Sequence, residues 1–198
     1  MDKVTTLSPT VIIVVGLPGS GKSFFATQYA TSLGAPLVSE DKIRWTLFAH
    51  HTHNDNENIV VKQVANIVIA ELLKTGKTFI LDGGYNDRAT RATLIAQAKK
   101  ARYTVLTVVV QTDAPTAKQR STKRLSKKAG DFYKQSLTPQ LFETQSKKYQ
   151  PPLHIDKAVV VISGKHTYST QARIVSKKIL ETQVAATPIA RLHGPFAQ

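Results

Sequence analysis

Residues 11–23, Val-Ile-Ile-Val-Val-Gly-Leu-Pro-Gly-Ser-Gly-Lys-Ser, constrain this chain more than any other stretch. Five apolar, mostly β-branched residues read as a buried strand, and they run directly into the pattern G-x-x-x-x-G-K-S. Gly16, Gly19 and Gly21, with Leu17, Pro18 and Ser20 between them, let the backbone curl so that successive N–H groups converge on one anion. Lys22 is then placed to reach the β- and γ-phosphates of a nucleotide, and Ser23 to ligate Mg²⁺. Phe24 follows in the first turn of a helix whose positive N-terminal end strengthens the site. An ordinary strand–turn–helix connection explains neither the lysine directly after the last glycine nor the buried-type strand before the first.

Further short β-branched runs at 36–38, 78–81, 104–110 and 158–162 read as strands. Between them lie helical segments at about 22–32, 42–48, 57–74, 88–101, 114–127, 139–148 and 168–183. Such alternation predicts a parallel sheet with helices on both faces. The spacing of Ile59, Val60, Val64, Ile67, Val68 and Leu72 has helical period, and Gly76 ends it. Thr138-Pro139 marks a helix start and Gln150-Pro151-Pro152 a stop. Beyond about residue 184 the pattern decays into a loose tail. Residues 1–198 hold no repeat or linker, so one α/β domain is expected.

Two carboxylates and an arginine follow the second strand, in Ser39-Glu40-Asp41-Lys42-Ile43-Arg44. In a parallel sheet that edge is where ligands sit. Asp41 and Arg44 are three apart and share a helical face. Asp41 is thus placed to take a proton from an attacking hydroxyl, and Arg44 to hold the acceptor, with Glu40 the rival base. Ile43, Trp45 and Phe48 are expected to pack the same helix onto the core. The third strand ends in Asp82, in the manner of a Walker B acid that holds Ser23 or a Mg²⁺-bound water. Arg88 and Arg91, three apart on the next helix, contact the acceptor or brace the acids. His50, His51 and His53 cluster in a polar loop without the further ligands a metal site needs.

From Lys118 to Lys134 the chain is strongly basic, with Asp131 its single acid. Arg120 and Arg124, four apart, are the arginines a helical lid over about 118–150 would bring to a migrating phosphoryl group. The net charge of +14 extends this bias to the whole molecule and suits a polyanion such as RNA or DNA. The absence of cysteine excludes disulfides and thiol chemistry. The apolar runs are too short to cross a bilayer, so a cytoplasmic protein is expected.

In these motifs the stretch from about Val11 to Pro152 resembles P-loop kinases of the polynucleotide 5′-hydroxyl kinase type, within the nucleoside-monophosphate-kinase-like division. Gly16–Ser23 matches that group's G-x-P-G-S-G-K-S. Asp41-Lys42-Ile43-Arg44 matches its D-x-x-R, whose acid is the general base and whose arginine binds the acceptor's phosphate. Arg120–Arg124 resembles its lid pattern R-x-x-K-R, followed by a proline-started helix ending near Tyr149. Its strand-end D-x-T-N is here Asp82-Gly83-Gly84-Tyr85-Asn86, one residue longer. Zeta-toxin kinases and antibiotic phosphotransferases share the loop and the acid.

The resemblance implies a P-loop NTPase three-layer sandwich, a five-stranded parallel sheet with a basic helical lid. It implies an ATP- and Mg²⁺-dependent kinase, its favoured acceptor a nucleic-acid 5′-OH. A small-molecule kinase acting on a sugar, nucleotide sugar or antibiotic is the first alternative. An ATP-binding regulatory protein without transfer activity is the second.

Overall fold

The computed structural model describes residues 8–50, 52, 54–123, 136–153 and 158–186. Five parallel strands, β1 (Thr10–Val15), β2 (Leu37–Ser39), β3 (Phe79–Asp82), β4 (Thr104–Gln111) and β5 (Val159–Ser163), lie in the order β2-β3-β1-β4-β5. The fold is the expected α/β three-layer sandwich. Every residue of β1 is buried, as its unbroken apolar run requires of a strand covered on both faces.

Alternate residues of β1 enter two cores. Val11, Ile13 and Val15 face α3 (Asp55–Lys74) and α4 (Arg88–Lys100), packing with Ala65, Ile69, Leu94 and Ala98. Ile12 and Val14 face α1 (Lys22–Leu33) and α7 (Tyr168–Ala186), packing with Phe25, Tyr29, Val175 and Ile179. Chain crossovers carry α2 (Glu40–Leu47) beyond the carboxyl end of β2, and α5 (Ala114–Thr122) and α6 (Pro139–Lys147) beyond that of β4.

Caps explain most of the boundaries. Ser39, Asn54, Asp87, Asp113 and Thr138 each accept a backbone N–H of the following helix through their side chains, worth about 1 kcal/mol apiece. The Asn54 cap starts α3 two residues earlier than its apolar spacing predicts, and Ser39 starts α2 at Glu40. Three expectations need correction. α5 stops at Thr122 rather than 127, with Lys123 as its cap. α7 continues to Ala186, so residues 184–186 belong to the helix and not to a tail. Trp45 is 45% exposed and does not pack on the core, whereas Ile43 does. Residues 124–135, including Arg124, lie outside the described residues, as do His51 and His53. Among the described residues no helix is long and apolar enough to cross a membrane.

Candidate active site

Register fixes what meets what at the carboxyl edge. Ser39 of β2 pairs with Asp82 of β3, and Asp82 with Val14 of β1. The start of α2, the end of β3 and the glycine loop after β1 therefore stand side by side.

The loop is braced from three directions. Asn86 bridges Gly16 with its carboxamide, its Oδ1 accepting from the Gly16 N–H at 3.2 Å and its Nδ2 donating to the Gly16 carbonyl at 3.1 Å. From β4, the Thr112 hydroxyl donates to the Ser20 carbonyl at 3.1 Å. From below, the Ala117 carbonyl of α5 lies so close to Gly19 (φ +78°) that a Cβ would overlap it. Only glycine meets both demands, the left-handed backbone and the close approach. Lys22 Nζ donates to the carbonyls of Gly16 and Leu17, at 2.9 and 2.7 Å, which holds the ammonium over the loop. Gly21, in the left-handed region, is the N-cap of α1, so the positive end of that helix opens directly onto the loop. The Phe24 ring is 60% exposed, so its part in the loop is that of its backbone.

Asp82 is 4% exposed. Ile80 and Asp82 share one face of β3, the face that packs against α1, so the Asp82 carboxylate looks toward the helix that begins at Lys22. A buried carboxylate of this kind suits a hydrated Mg²⁺. Among the described residues no group of three or more acidic or histidine side chains could hold a metal alone. Mg²⁺ needs no such group, because it takes one or two protein oxygens and shares the rest with phosphates and water.

The acceptor side is built from charges. Glu40 lies over the Gly83–Gly84 turn, its carboxylate against Gly84, where a Cβ would overlap it. Burial pushes the Glu40 carboxyl above its ordinary range; the nearby charges of Asp41 and Asp82 add to this, against a smaller pull from Lys62 and Arg44. Burial, and then the charge of Glu40, also pushes the Tyr85 phenol up. Asp41, in the first turn of α2, is half-buried.

Arg44 is 7% exposed. Its Nη2 donates to Asn58 Oδ1 at 2.8 Å, and its Nη1 lies 3.4 Å from Glu57 Oε1. Nε and Nη1 are buried yet donate no hydrogen bond, a condition that costs about 1–3 kcal/mol per group unless a ligand or water supplies an acceptor.

Several basic side chains prove to be struts. Arg91, 2% exposed, donates to the carbonyls of Tyr85, Asn86 and Gln150, and Arg88 Nε donates to that of Pro151. These bonds lash the end of the α6 segment to the β3–α4 loop and so hold Asn86 in place. Lys118 pairs with Glu143 at 2.7 Å, joining α5 to α6. Arg120 Nη1 donates to the Gly164 carbonyl at 3.0 Å, on the turn between β5 and α7. Lys165 of that turn pairs with Asp113 at 2.6 Å and holds its carboxyl well below the usual carboxylate range.

Glu57, Asn58 and Thr112 are absent from the sequence reading. Asn54-x-x-Glu57 has the form of a capping box, but the Glu57 carboxylate accepts from Thr52 instead, through its N–H at 2.9 Å and its hydroxyl.

A family model described as an AAA domain matches residues 11–152. No curated protein matches the chain by sequence. Among solved structures, a gluconokinase from Sinorhizobium meliloti 1021 superposes with a TM-score of 0.65 at 16% identity, covering 89% of this chain and 95% of that one. Chaetomium thermophilum Kti12, in complex with ADP-AlF3, gives 0.65 at 22% identity, covering 86% and 97%. The Mycobacterium tuberculosis APS kinase CysC, in complex with AMPPNP and APS, gives 0.62 at 20% identity, covering 88% and 98%. The fold is thus one shared with P-loop kinases.

Proposed function

Because the chain belongs to the AAA-domain family over residues 11–152, we propose that it is an ATP-dependent kinase acting on a hydroxyl group bound above β2 and β3. One observation carries this reading. The strand register lines up the start of α2, the buried Asp82 at the end of β3 and the glycine loop with Lys22 over it along one edge of the sheet, which supports a transfer between the two ends.

In this scheme the loop backbone from Gly16 to Phe24 cradles the triphosphate, and Lys22 exchanges its loop carbonyls for the β- and γ-phosphates. Bound Mg²⁺, held by Ser23 and through water by Asp82, would neutralise phosphate charge. Asp41 accepts the proton of the attacking hydroxyl while its oxygen forms the new bond to the γ-phosphorus. The bond from that phosphorus to the β–γ bridging oxygen breaks, and ADP leaves. Asp41 rather than Glu40 takes this role, because Arg44 shares its helical face while the Glu40 carboxylate rests against Gly84. Arg44 orients the acceptor. Arg120, on leaving the Gly164 carbonyl, and Arg124 are the arginines that would meet charge on the migrating group.

For the acceptor, the basic stretch from Lys118 to Lys134 and the net charge of +14 support a nucleic-acid 5′-OH. The carboxylates lining the acceptor end support a small hydroxyl compound, and the geometry favours that class. A screen with γ-labelled ATP should therefore show label transfer that depends on the acceptor, across 5′-OH oligonucleotides, nucleosides, sugars, nucleotide sugars and antibiotics. An oligonucleotide substrate should lose affinity several-fold per doubling of salt, roughly in proportion to the phosphates contacted, whereas an uncharged acceptor should not. ATP binding without transfer to any acceptor would leave only a nucleotide-binding regulatory protein.

A further inference from the structure

Arg44 has two unusual properties at once. Its guanidinium is buried with Nε and Nη1 donating no hydrogen bond, and the only acceptor near Nη1 among the described residues is Glu57 Oε1 at 3.4 Å, so an acceptor oxygen reaching this guanidinium would meet unmet donors. Its charge is already matched by Glu57, 5% exposed and 3.4 Å away, while Asn58 fixes the guanidinium plane from the other side. A phosphate placed on these donors would bring its own negative charge next to a buried carboxylate. An uncharged oxygen would not.

The surroundings point the same way. Glu40, Asp41 and Asp82 lie within electrostatic reach of one another, with Arg44 and Lys62 as the cations that act on Glu40. Counting Glu57, the described residues set four carboxylates here against Arg44 and Lys62, with Lys42 following Asp41 on an exposed face of α2. That is an acidic excess in a chain whose net charge is +14. Arg44 also stands one helical turn from Asp41, so an oxygen held by Arg44 and a hydroxyl activated by Asp41 belong to one compact molecule.

We infer that Arg44 reads an uncharged oxygen of a neutral polyhydroxyl acceptor, and that Glu57 is the positioning residue that turns the site away from phosphate-bearing acceptors. This rests on the kinase reading and narrows its substrate class. Glu57 acts through Arg44: it holds the guanidinium and cancels its charge.

The test compares kcat/KM for glucose, inositol and adenosine with that for their monophosphates and for a 5′-OH oligonucleotide. The wild-type protein should prefer the uncharged member of at least one pair. Glu57→Gln should lower that preference by about tenfold or more, since a nearby charge of this kind is worth at least that in a shielded site. Asn58→Asp adds a negative charge on the other side of Arg44 and should raise the preference, which keeps the test open if E57Q fails to fold. A pair that only staples α2 to α3 would lower Tm in both variants and leave the selectivity ratio unchanged; that outcome overturns the proposal. Wild-type preference for the phosphate-bearing acceptors overturns it too, while leaving the kinase reading intact. Absence of transfer to every acceptor, the oligonucleotide included, fells both.

Discussion

The phosphate loop is held by backbone and amide contacts, whereas the acceptor end, two strands away, is held by charges. At the loop, Asn86 and Thr112 satisfy main-chain groups of Gly16 and Ser20, and the Lys22 bonds at 2.9 and 2.7 Å go to loop carbonyls rather than to a carboxylate. At the acceptor end Glu40, Asp41, Arg44, Glu57 and Asp82 crowd around the start of α2 and α3. A triphosphate presents the same anion in every kinase, so a rigid cradle of N–H groups serves it. An acceptor must be distinguished from its analogues, and buried charges with unmade hydrogen bonds do that by penalising the wrong partner.

If the two ends are separable, a change in the acids should abolish transfer and spare nucleotide binding. This is the largest expected effect. Asp41→Asn should reduce the transfer rate by about 10²–10⁴-fold, the scale of a lost general base. Calorimetry should meanwhile return the wild-type heat with ATP and magnesium. Loss of ATP binding in the same variant would show that the two ends are one unit, and full activity would remove Asp41 from the mechanism.

The reverse variant sharpens the comparison. Asn86→Ala removes both hydrogen bonds to Gly16 and leaves a main-chain donor and acceptor without their partner. At about 0.5–1.5 kcal/mol per bond, ATP affinity should fall by roughly tenfold. The KM for acceptor should stay near its wild-type value, because the side-chain hydrogen bonds of Asn86 run to Gly16 and not to α2. An equal rise in both constants would mean that Asn86 supports the whole cleft.

The same contrast explains what the sequence discloses. The glycine loop, the strand–helix alternation and the capped helix starts are local patterns, each written in a few adjacent residues, and the structure has all of them. Even the one-residue lengthening at Asp82–Asn86 is absorbed, since the Gly83–Gly84 turn (φ +100° and +76°) still delivers Asn86 to the loop. The acceptor end is different. Arg44 stands three residues from Asp41, as a recognition arginine should, but its partners Glu57 and Asn58 come from the next helix, and nothing local announces them. Arg91 reads in sequence as a contact for the acceptor or a brace for the acids, and is instead the most buried arginine among the described residues, bonded to three carbonyls from two separate segments. Pairings across fourteen or sixty residues carry no periodic signal, which is why the phosphate end is legible and the acceptor end is not.

The smallest expected effect concerns stability alone and asks whether the acceptor end is electrostatically strained. Burial, with Asp41 and Asp82 adding to it, raises the Glu40 carboxyl above its ordinary value of 4.5. The folded state therefore holds that proton more tightly than the unfolded chain. The resulting stabilisation is fully present below 4.5 and is lost as pH rises through the folded value, so at neutral pH the ionised Glu40 is a liability. Glu40→Gln keeps the shape and cannot ionise. Its Tm should match the wild type in acid and exceed it at pH 7–8. A variant less stable at every pH would mean that the carboxylate makes a contact the fold needs. The acceptor end would then be held together by its acids, as the phosphate end is by its amides, and the contrast between the two would fail.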